Sequence, residues 1–436
     1  MEENVQQSTT KTTSETASRQ EWLLLLVLAS IQFTSILDFV IMMPLGPQLM
    51  RTFDISPQQF GLVVSAYTIS AGIVGFGGAF FIDRFDRKLA MLTTYGGFTV
   101  GTFLCAVAPS YEFLVIARTV AGAFAGTMGA TVFAAVGDAI PDARRGAAMG
   151  VIMSSFSVAS VAGVPFGLFL ANHYGWHMPF FFLAALSIVV LIVGSKSLPP
   201  MRAHLANAVY EHPVEAMKYM LTHPNHLRAF MFVTAMMLAG FSIIPYISPY
   251  LVSNVGLPEG DLPLVYFFGG ACTIFTARFI GRMADQFGKA RVFTIIALIS
   301  VVPIIALTNL PATSLSMVIT VTTVYTVFTS GRMVPSMALI TGSVEPQRRG
   351  SFMSINSAIQ QLSAGIASFG AGLIIGKSAD GTLTHYGTVG ILAAIMTLFC
   401  ILLVRRIRSV DQSTGADRKG ENATESQEEN LLDAPL

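Results

Sequence analysis

The chain has 436 residues, 53% of them hydrophobic and 12% charged, with a formal net charge of +1. A soluble protein carries about 25% charged residues, so this composition excludes an ordinary water-soluble domain and points to lipid as the solvent. The near-zero net charge also removes the basic footprint that nucleic-acid binding requires.

In chain order, residues 1–20 are polar and read as a disordered tail. The apolar run from Trp22 to about Leu45 exceeds the short core of a cleaved signal peptide and reads as an uncleaved first spanning helix. Further apolar windows fall near 58–81, 89–108, 112–136, 146–171 and 179–195. After a polar break they resume near 228–252, 262–281, 290–308, 313–342, 350–375 and 387–404. Each approaches the ~20 apolar residues that cross a bilayer. The pattern predicts an all-α membrane protein of 12 transmembrane helices in two pseudo-symmetric six-helix bundles, over 21–195 and 228–405, with a linker over 196–227. Residues 406–436 read as a second disordered tail. Arg84, Arg87, Lys88, Arg144, Arg145, Arg348 and Arg349 fall in loops on the side of the termini, against only Arg51 and Lys377 opposite. That bias places both termini in the cytoplasm.

The two halves read as copies. PDARRGAAMGVIMSSFS at 141–157 matches EPQRRGSFMSINSAIQQ at 345–361 at an offset of 204. The loops around Asp83 and Asp285 match at an offset of 202. Two matches at nearly equal offset indicate a duplicated unit. Parallel repeats of this kind place a substrate site near the midplane, between the halves.

The duplicated loop resembles the signature of the major facilitator superfamily, Gly-x-x-x-Asp-Arg-x-Gly-Arg-Arg/Lys. In the second copy Gly281, Asp285, Gly288 and Lys289 match, with Gln286 at the Arg place. In the first, Asp83, Arg84, Arg87 and Lys88 match, with Ala79 and Asp86 at the two Gly places. The resemblance covers about residues 20–405. It implies a gate latch, in which an Arg of the loop bonds an acid at the cytoplasmic end of the fourth helix, here Asp138. A solvated turn that only anchors topology is the plainer reading.

Arg118 lies inside the fourth window. An Arg at such depth costs about 2.5–3.5 kcal/mol to insert, so it is expected to face a cavity or a partner, unless it snorkels to the headgroups. Gly122, Gly126 and Gly129 follow it as small packing residues. The stretch resembles the family's helix 4 motif, Arg-x-x-x-Gly, whose Arg is linked to proton transfer. Its counterpart in the second half is Thr322, so duplication does not account for it. Gly163, Pro165 and Gly167 in the fifth window permit close helix approach and a bend. They also resemble the helix 5 motif of the exporting, antiporter branches. Arg332, deep in the tenth window, is expected to be a cavity residue, whereas Arg278 can snorkel.

Asp38 stands in SILDFVIMMPLGPQL, an otherwise apolar run. It is either a structural carboxylate bonded to a neighbouring helix or a proton carrier. Burial and a nearby Arg act on a carboxyl in opposite senses, so an acid placed between them can exchange a proton. Arg118 is the expected partner. In the antiporter branches, an acid in helix 1 binds protons or cationic substrate. One acid against Arg118 and Arg332 does not suit a dication; a neutral, anionic or zwitterionic amphiphile fits at least as well as a cationic drug.

The seven histidines map to loops, the linker or helix ends, and the three cysteines lack metal-ligand spacing. A Walker-type phosphate loop is absent, which excludes ATP as the energy source. No cofactor, metal or catalytic constellation is expected, and the sugar-porter signatures are missing. The reading is a secondary transporter working by alternating access and resembling the drug/proton antiporter branch. It would export a small organic molecule or drug in exchange for protons, as a monomer in a bacterial inner membrane. A lipid, lysolipid or metabolite exporter, an uncoupled facilitator, and a transporter-like receptor that binds without translocating remain as alternatives.

Overall fold

The computed structural model of the chain describes residues 2–78, 85–201, 213–345 and 348–408. Its first half runs α1 (Glu2–Ile41), α2 (Pro57–Gly78), α3 (Arg87–Ala106), α4 (Tyr111–Ala139), α5 and α6 (Met178–Ser197). In α5 a π-helical turn, Ala159–Gly163, joins Asp142–Val158 to Val164–Tyr174. The second half runs α7 (Pro224–Phe241), α8 (Leu262–Phe287), α9 (Lys289–Thr308), α10, α11 (Arg349–Ile374) and α12 (Tyr386–Val404). Here α10 comprises Leu315–Gly331 and Met333–Gly342, meeting at Arg332. The molecule is an all-α membrane protein of two six-helix bundles.

Among the described residues, eleven helices are long and apolar enough to cross a membrane. The twelfth, α11, spans 26 residues but carries Ser354, Asn356, Gln360, Gln361 and Ser363. At 1.5 Å per residue it is about 39 Å long, ample to span. Its polar residues lower its hydropathy because it packs between protein surfaces, not against lipid alone.

Three local features depart from the sequence reading. The helix α1 starts at Glu2, where a disordered tail was expected; residues 1–20 contain no Gly or Pro to stop a helix, although spanning hydropathy begins only at Gln20. Within the linker, Pro213–Thr222 is helical. Between α11 and α12, Gly376–Lys377 pairs antiparallel with Leu383–Thr384, a short ribbon in a helical protein.

Proline breaks the first helix of each half at matching depth. After Ile41 the chain turns through Met42–Leu45, around Pro44, into Gly46–Thr52. After Phe241 it passes through a 3-10 turn, Ile244–Tyr246, containing Pro245, into Ile247–Ser253. A proline removes one rung of the helical ladder and crowds the preceding turn, so each helix bends where its sequence dictates.

Glycines then set how closely helices approach. A Cβ on Gly122 or Gly126 of α4 would collide with the backbone oxygens of Tyr67 and Ala71 on α2. On the opposite side of α2, a Cβ at Gly72 would lie 2.6 Å from Leu362, and one at Gly365 would lie 2.7 Å from Thr68 Oγ1. The helix α2 is thus seated against α4 of its own half and α11 of the other. Such backbone-level contact is the main source of helix association in lipid, where hydrophobic burial offers little.

Candidate functional site: a buried ion pair and two sets of contacts at the helix ends

Asp38 and Arg118 meet in the core of the first bundle. Arg118 Nη1 donates to Asp38 Oδ2 at 2.8 Å and to the Asp38 carbonyl oxygen at 3.3 Å. Thr102 Oγ1 on α3 donates to Asp38 Oδ1 at 3.1 Å. The guanidinium carbon of Arg118 stands 4.3 Å from the centroid of the Tyr67 ring on α2. Both charged side chains are 0% exposed, so the pair is sealed by α1, α2, α3 and α4 and open to no solvent path in this conformation. Arg118 lies seven residues inside the Tyr111 end of α4, about 10 Å along the axis. That depth is too great for snorkelling, which accounts for the Arg turning inward to an acid.

The pair is incompletely satisfied. Arg118 Nε and Nη2 are buried with no acceptor among the described residues. A buried guanidinium with two idle donors can take a further acceptor without first breaking its bond to Asp38. Phe39, the neighbour of Asp38, stacks on Tyr67 with ring centroids 5.4 Å apart and reaches Phe241 of the second half at 5.9 Å. The ion pair is therefore linked through two rings to the interface between the bundles.

The helix 5 motif flanks the same segment of α1. A Cβ at Gly163 would lie 2.9 Å from Leu37, and one at Gly167 would lie 2.8 Å from Ile41. These glycines let α5 lie directly on the residues around Asp38. The π-helical turn just before Pro165 packs across the halves, where a Cβ on Gly270 of α8 would lie 3.0 Å from the Ser160 oxygen. A π turn within an α-helix is rare and concentrates at functional positions.

Arg332 does not join this cluster. It sits at the break in α10, 2% exposed, and its Nη1 donates to Thr397 Oγ1 on α12 at 2.9 Å. It is a buried residue of the second bundle, not a third member of a shared cage.

The signature loop is described only from Phe85 onward; Asp83 and Arg84 lie outside the described residues. Arg87 forms an ion pair with Asp138 at the end of α4. Lys88 Nζ donates to the Leu198 oxygen at 2.6 Å, tying the loop to the end of α6. Asp86, at a Gly place of the signature, caps α3: its carboxylate accepts from Lys88 N at 2.9 Å and from Met201 N at 3.2 Å. Its φ of −55° needs no glycine. In the second copy Gly288 has φ of +90°, which does favour glycine, so the two loops turn differently. Gly281 is half-buried, while Asp285 and Lys289 are exposed.

A second set of contacts, unread in the sequence, joins the halves at the end away from the chain termini. Arg51 Nη1 and Nη2 donate to the two Glu259 oxygens at 2.5 and 3.2 Å. Asn172 Nδ2 donates to the Glu259 backbone oxygen at 3.1 Å. Tyr246 Oη reaches carbonyls of both halves, Ser368 at 2.8 Å and Pro57 at 3.2 Å. Arg51 stood out only as an isolated base, and Tyr246 only as an aromatic in YISPY. Arg51 and Glu259 stand 208 positions apart, and Tyr246 and Pro57 189, so no local sequence signal pairs them.

These features are those of a membrane transporter, and comparison with known proteins agrees. The Major Facilitator Superfamily profile matches residues 28–277 and 230–432. The chain belongs to that superfamily, whose members are transporters and not enzymes. It is 26% identical over 385 residues to YceJ, an uncharacterized MFS-type transporter of Bacillus subtilis (strain 168), covering 87% of this chain and 94% of that one. It is 24% identical over 376 residues to a second such transporter of that organism, YtbD, covering 83% and 91%. Among solved structures, the nucleoside transporter NupG superposes with a TM-score of 0.72 at 14% identity, covering 88% of this chain and 99% of that one. A D-xylose-proton symporter gives 0.70 at 15%, covering 87% and 97%. At these identities the structural likeness shows the fold alone.

Proposed function

We propose that the protein is a proton-coupled secondary transporter that exports a small organic molecule by alternating access, with Asp38 as the proton carrier and Arg118 as its switchable partner. The sealed Asp38–Arg118 pair is the observation that carries this reading. Protonating Asp38 removes its charge and frees Arg118, whose idle donors then need a new acceptor. Deprotonation restores the pair. Two protonation states with different internal bonding give an ion gradient something to act on, which is what coupling requires.

The gate contacts supply the two global states. With both termini cytoplasmic, the contacts of Arg51, Glu259 and Tyr246 close the outer end. Opening outward would break them. The Arg87–Asp138 latch at the termini-side ends would bias the second state. The helix 5 glycines and the π turn, lying between Asp38 and α8, favour the exporter reading, because they join the proton site to the moving interface. A neutral, anionic or zwitterionic substrate suits a bundle in which Asp38, the buried acid among the described residues, is already committed to an Arg.

The test is transport in proteoliposomes under an imposed pH gradient, with wild type and Asp38→Asn compared on candidate substrates. Gradient-driven transport by the wild type alone supports the reading; equal rates in both would remove Asp38 from the coupling step. A wild type that binds substrate but moves none under any gradient would favour the receptor reading.

A further inference from the structure

At the termini-side end of the second bundle lies a cavity of about 430 Å³, lined among others by Tyr219, His223, His226, Arg228, Arg348 and Arg408. We propose that this cavity is a binding site for a phosphate-bearing anion, held by Arg348 and the two histidines.

Three observations converge on it. The first is charge. Three arginines line the cavity against one acid, Glu345, whose carboxylate stands 3.9 Å from Arg348 Nε, a loose ion pair without a hydrogen bond. Arg348 is held instead over the Tyr219 ring, 4.1 Å from its centroid. A guanidinium stacked in this way can still present its Nη atoms to a phosphate, the geometry for which Arg is suited.

The second is unsatisfied polarity. His226 is 3% exposed, and its Nδ1 has no hydrogen-bond partner among the described residues; the same holds for Nδ1 of His223. Their ring centroids are 4.5 Å apart. Two buried ring nitrogens without acceptor or donor, side by side in a basic cavity, are costly as they stand and are relieved by one shared anion. The cavity also meets two long helices at their N-termini, with His223 at the N-cap of α7 and Arg348 at the N-cap of α11. Helix N-termini offer free N–H groups and a favourable dipole to an anion.

The third is a comparison between the halves. In the first bundle, Arg144 pairs with Glu21 through two bonds of 2.6 and 2.9 Å. At the repeat offset of 204, Arg144 corresponds to Arg348. At offsets of 202 to 204, Glu21 corresponds to His223, Pro224 or Asn225, none of them acidic. Asn225 instead donates to the Ser343 and Arg408 oxygens at 3.0 and 2.8 Å. The second half has kept the base but lacks the bidentate acid of the first; Glu345 approaches Arg348 only at 3.9 Å. A bound anion would supply the close partner and bridge the linker helix, through Tyr219, to α7, α11 and α12.

The same phosphate chemistry can come from a lipid headgroup at the membrane surface or from a soluble phosphate compound. Full-length protein in detergent is titrated with inorganic phosphate at constant ionic strength while thermal unfolding is followed. In parallel, retention of phosphatidylglycerol against phosphatidylcholine is read by native mass spectrometry. Arg348→Gln removes the fork at a partly exposed position, and Asn225→Glu rebuilds the acid of the first half. The expected result is saturable stabilisation by phosphate, selective retention of phosphatidylglycerol, or both, with affinity down about tenfold or more in each variant. A phosphate response without lipid selectivity assigns a soluble ligand, and the reverse assigns a headgroup. Absence of both responses in the wild type, or their persistence unchanged in either variant, overturns the proposal.

Discussion

Arg118 reaches Asp38 through a single nitrogen: Nη1 serves both the carboxylate and the backbone oxygen, while Nε and Nη2 have no acceptor among the described residues. The bond is short and dry, yet most of the guanidinium's donor capacity is unused. Removing one member should be costly, because the other is left charged and buried. Arg118→Ala is expected to destabilise the folded protein by about 3–5 kcal/mol, and Asp38→Asn in the same chain should recover part of that loss. Thermal unfolding of the two single variants, the double variant and the wild type checks this. Simple additivity would mean that the two side chains do not interact.

The glycines of α4 make separate claims that stability alone can test. Gly122 faces the Tyr67 backbone with no room for a Cβ, whereas a Cβ at Gly129 would meet nothing within 4 Å among the described residues. Gly122→Ala should force α2 and α4 apart and cost about 1–3 kcal/mol. Gly129→Ala should be neutral or stabilising by about 0.5–1 kcal/mol, from helix propensity. Equal unfolding midpoints for the two variants would contradict the packing described.

Arg51 and Glu259 should matter for conformation more than for stability. The Arg51 side chain is 67% exposed, so the pair is worth about 0.2–1 kcal/mol at most. That is still a shift of up to about fivefold between two nearly balanced states. Arg51→Ala should leave the unfolding midpoint close to wild type and raise the population open at this end. Spin labels at Thr52 and Gly260, both exposed positions, should then report a larger long-distance fraction. An unchanged distance distribution would remove this pair from the gate.

Much of this was legible in the sequence, for physical reasons specific to lipid. Spanning helices announce themselves by length and apolarity, whereas the breaks at Pro44 and Pro245 went unread inside the windows 22–45 and 228–252. Asp38 and Arg118 could be paired in advance because each is too costly to bury alone, and their helices belong to one bundle. What stayed hidden depends on side-chain direction. Arg332 looked equivalent to Arg118 by depth, but it turns to Thr397 on α12. Asp86 looked like a defect in a glycine turn, and only the backbone shows it as the cap of α3. The α11 helix carries enough polar residues on its packed face to fall below the hydropathy of its neighbours. The contacts of Arg51 and Tyr246 join segments that the chain separates by a whole bundle.

The central claim is that Asp38 carries the proton, and uncoupling tests it most directly. Proteoliposomes holding wild type or Asp38→Asn are compared in two assays: substrate accumulation driven by a pH gradient, and substrate exchange at equilibrium with no gradient. The account predicts that Asp38→Asn loses gradient-driven accumulation while retaining exchange, since the gates and the binding surface are intact. Accumulation by Asp38→Asn at the wild-type rate would contradict it.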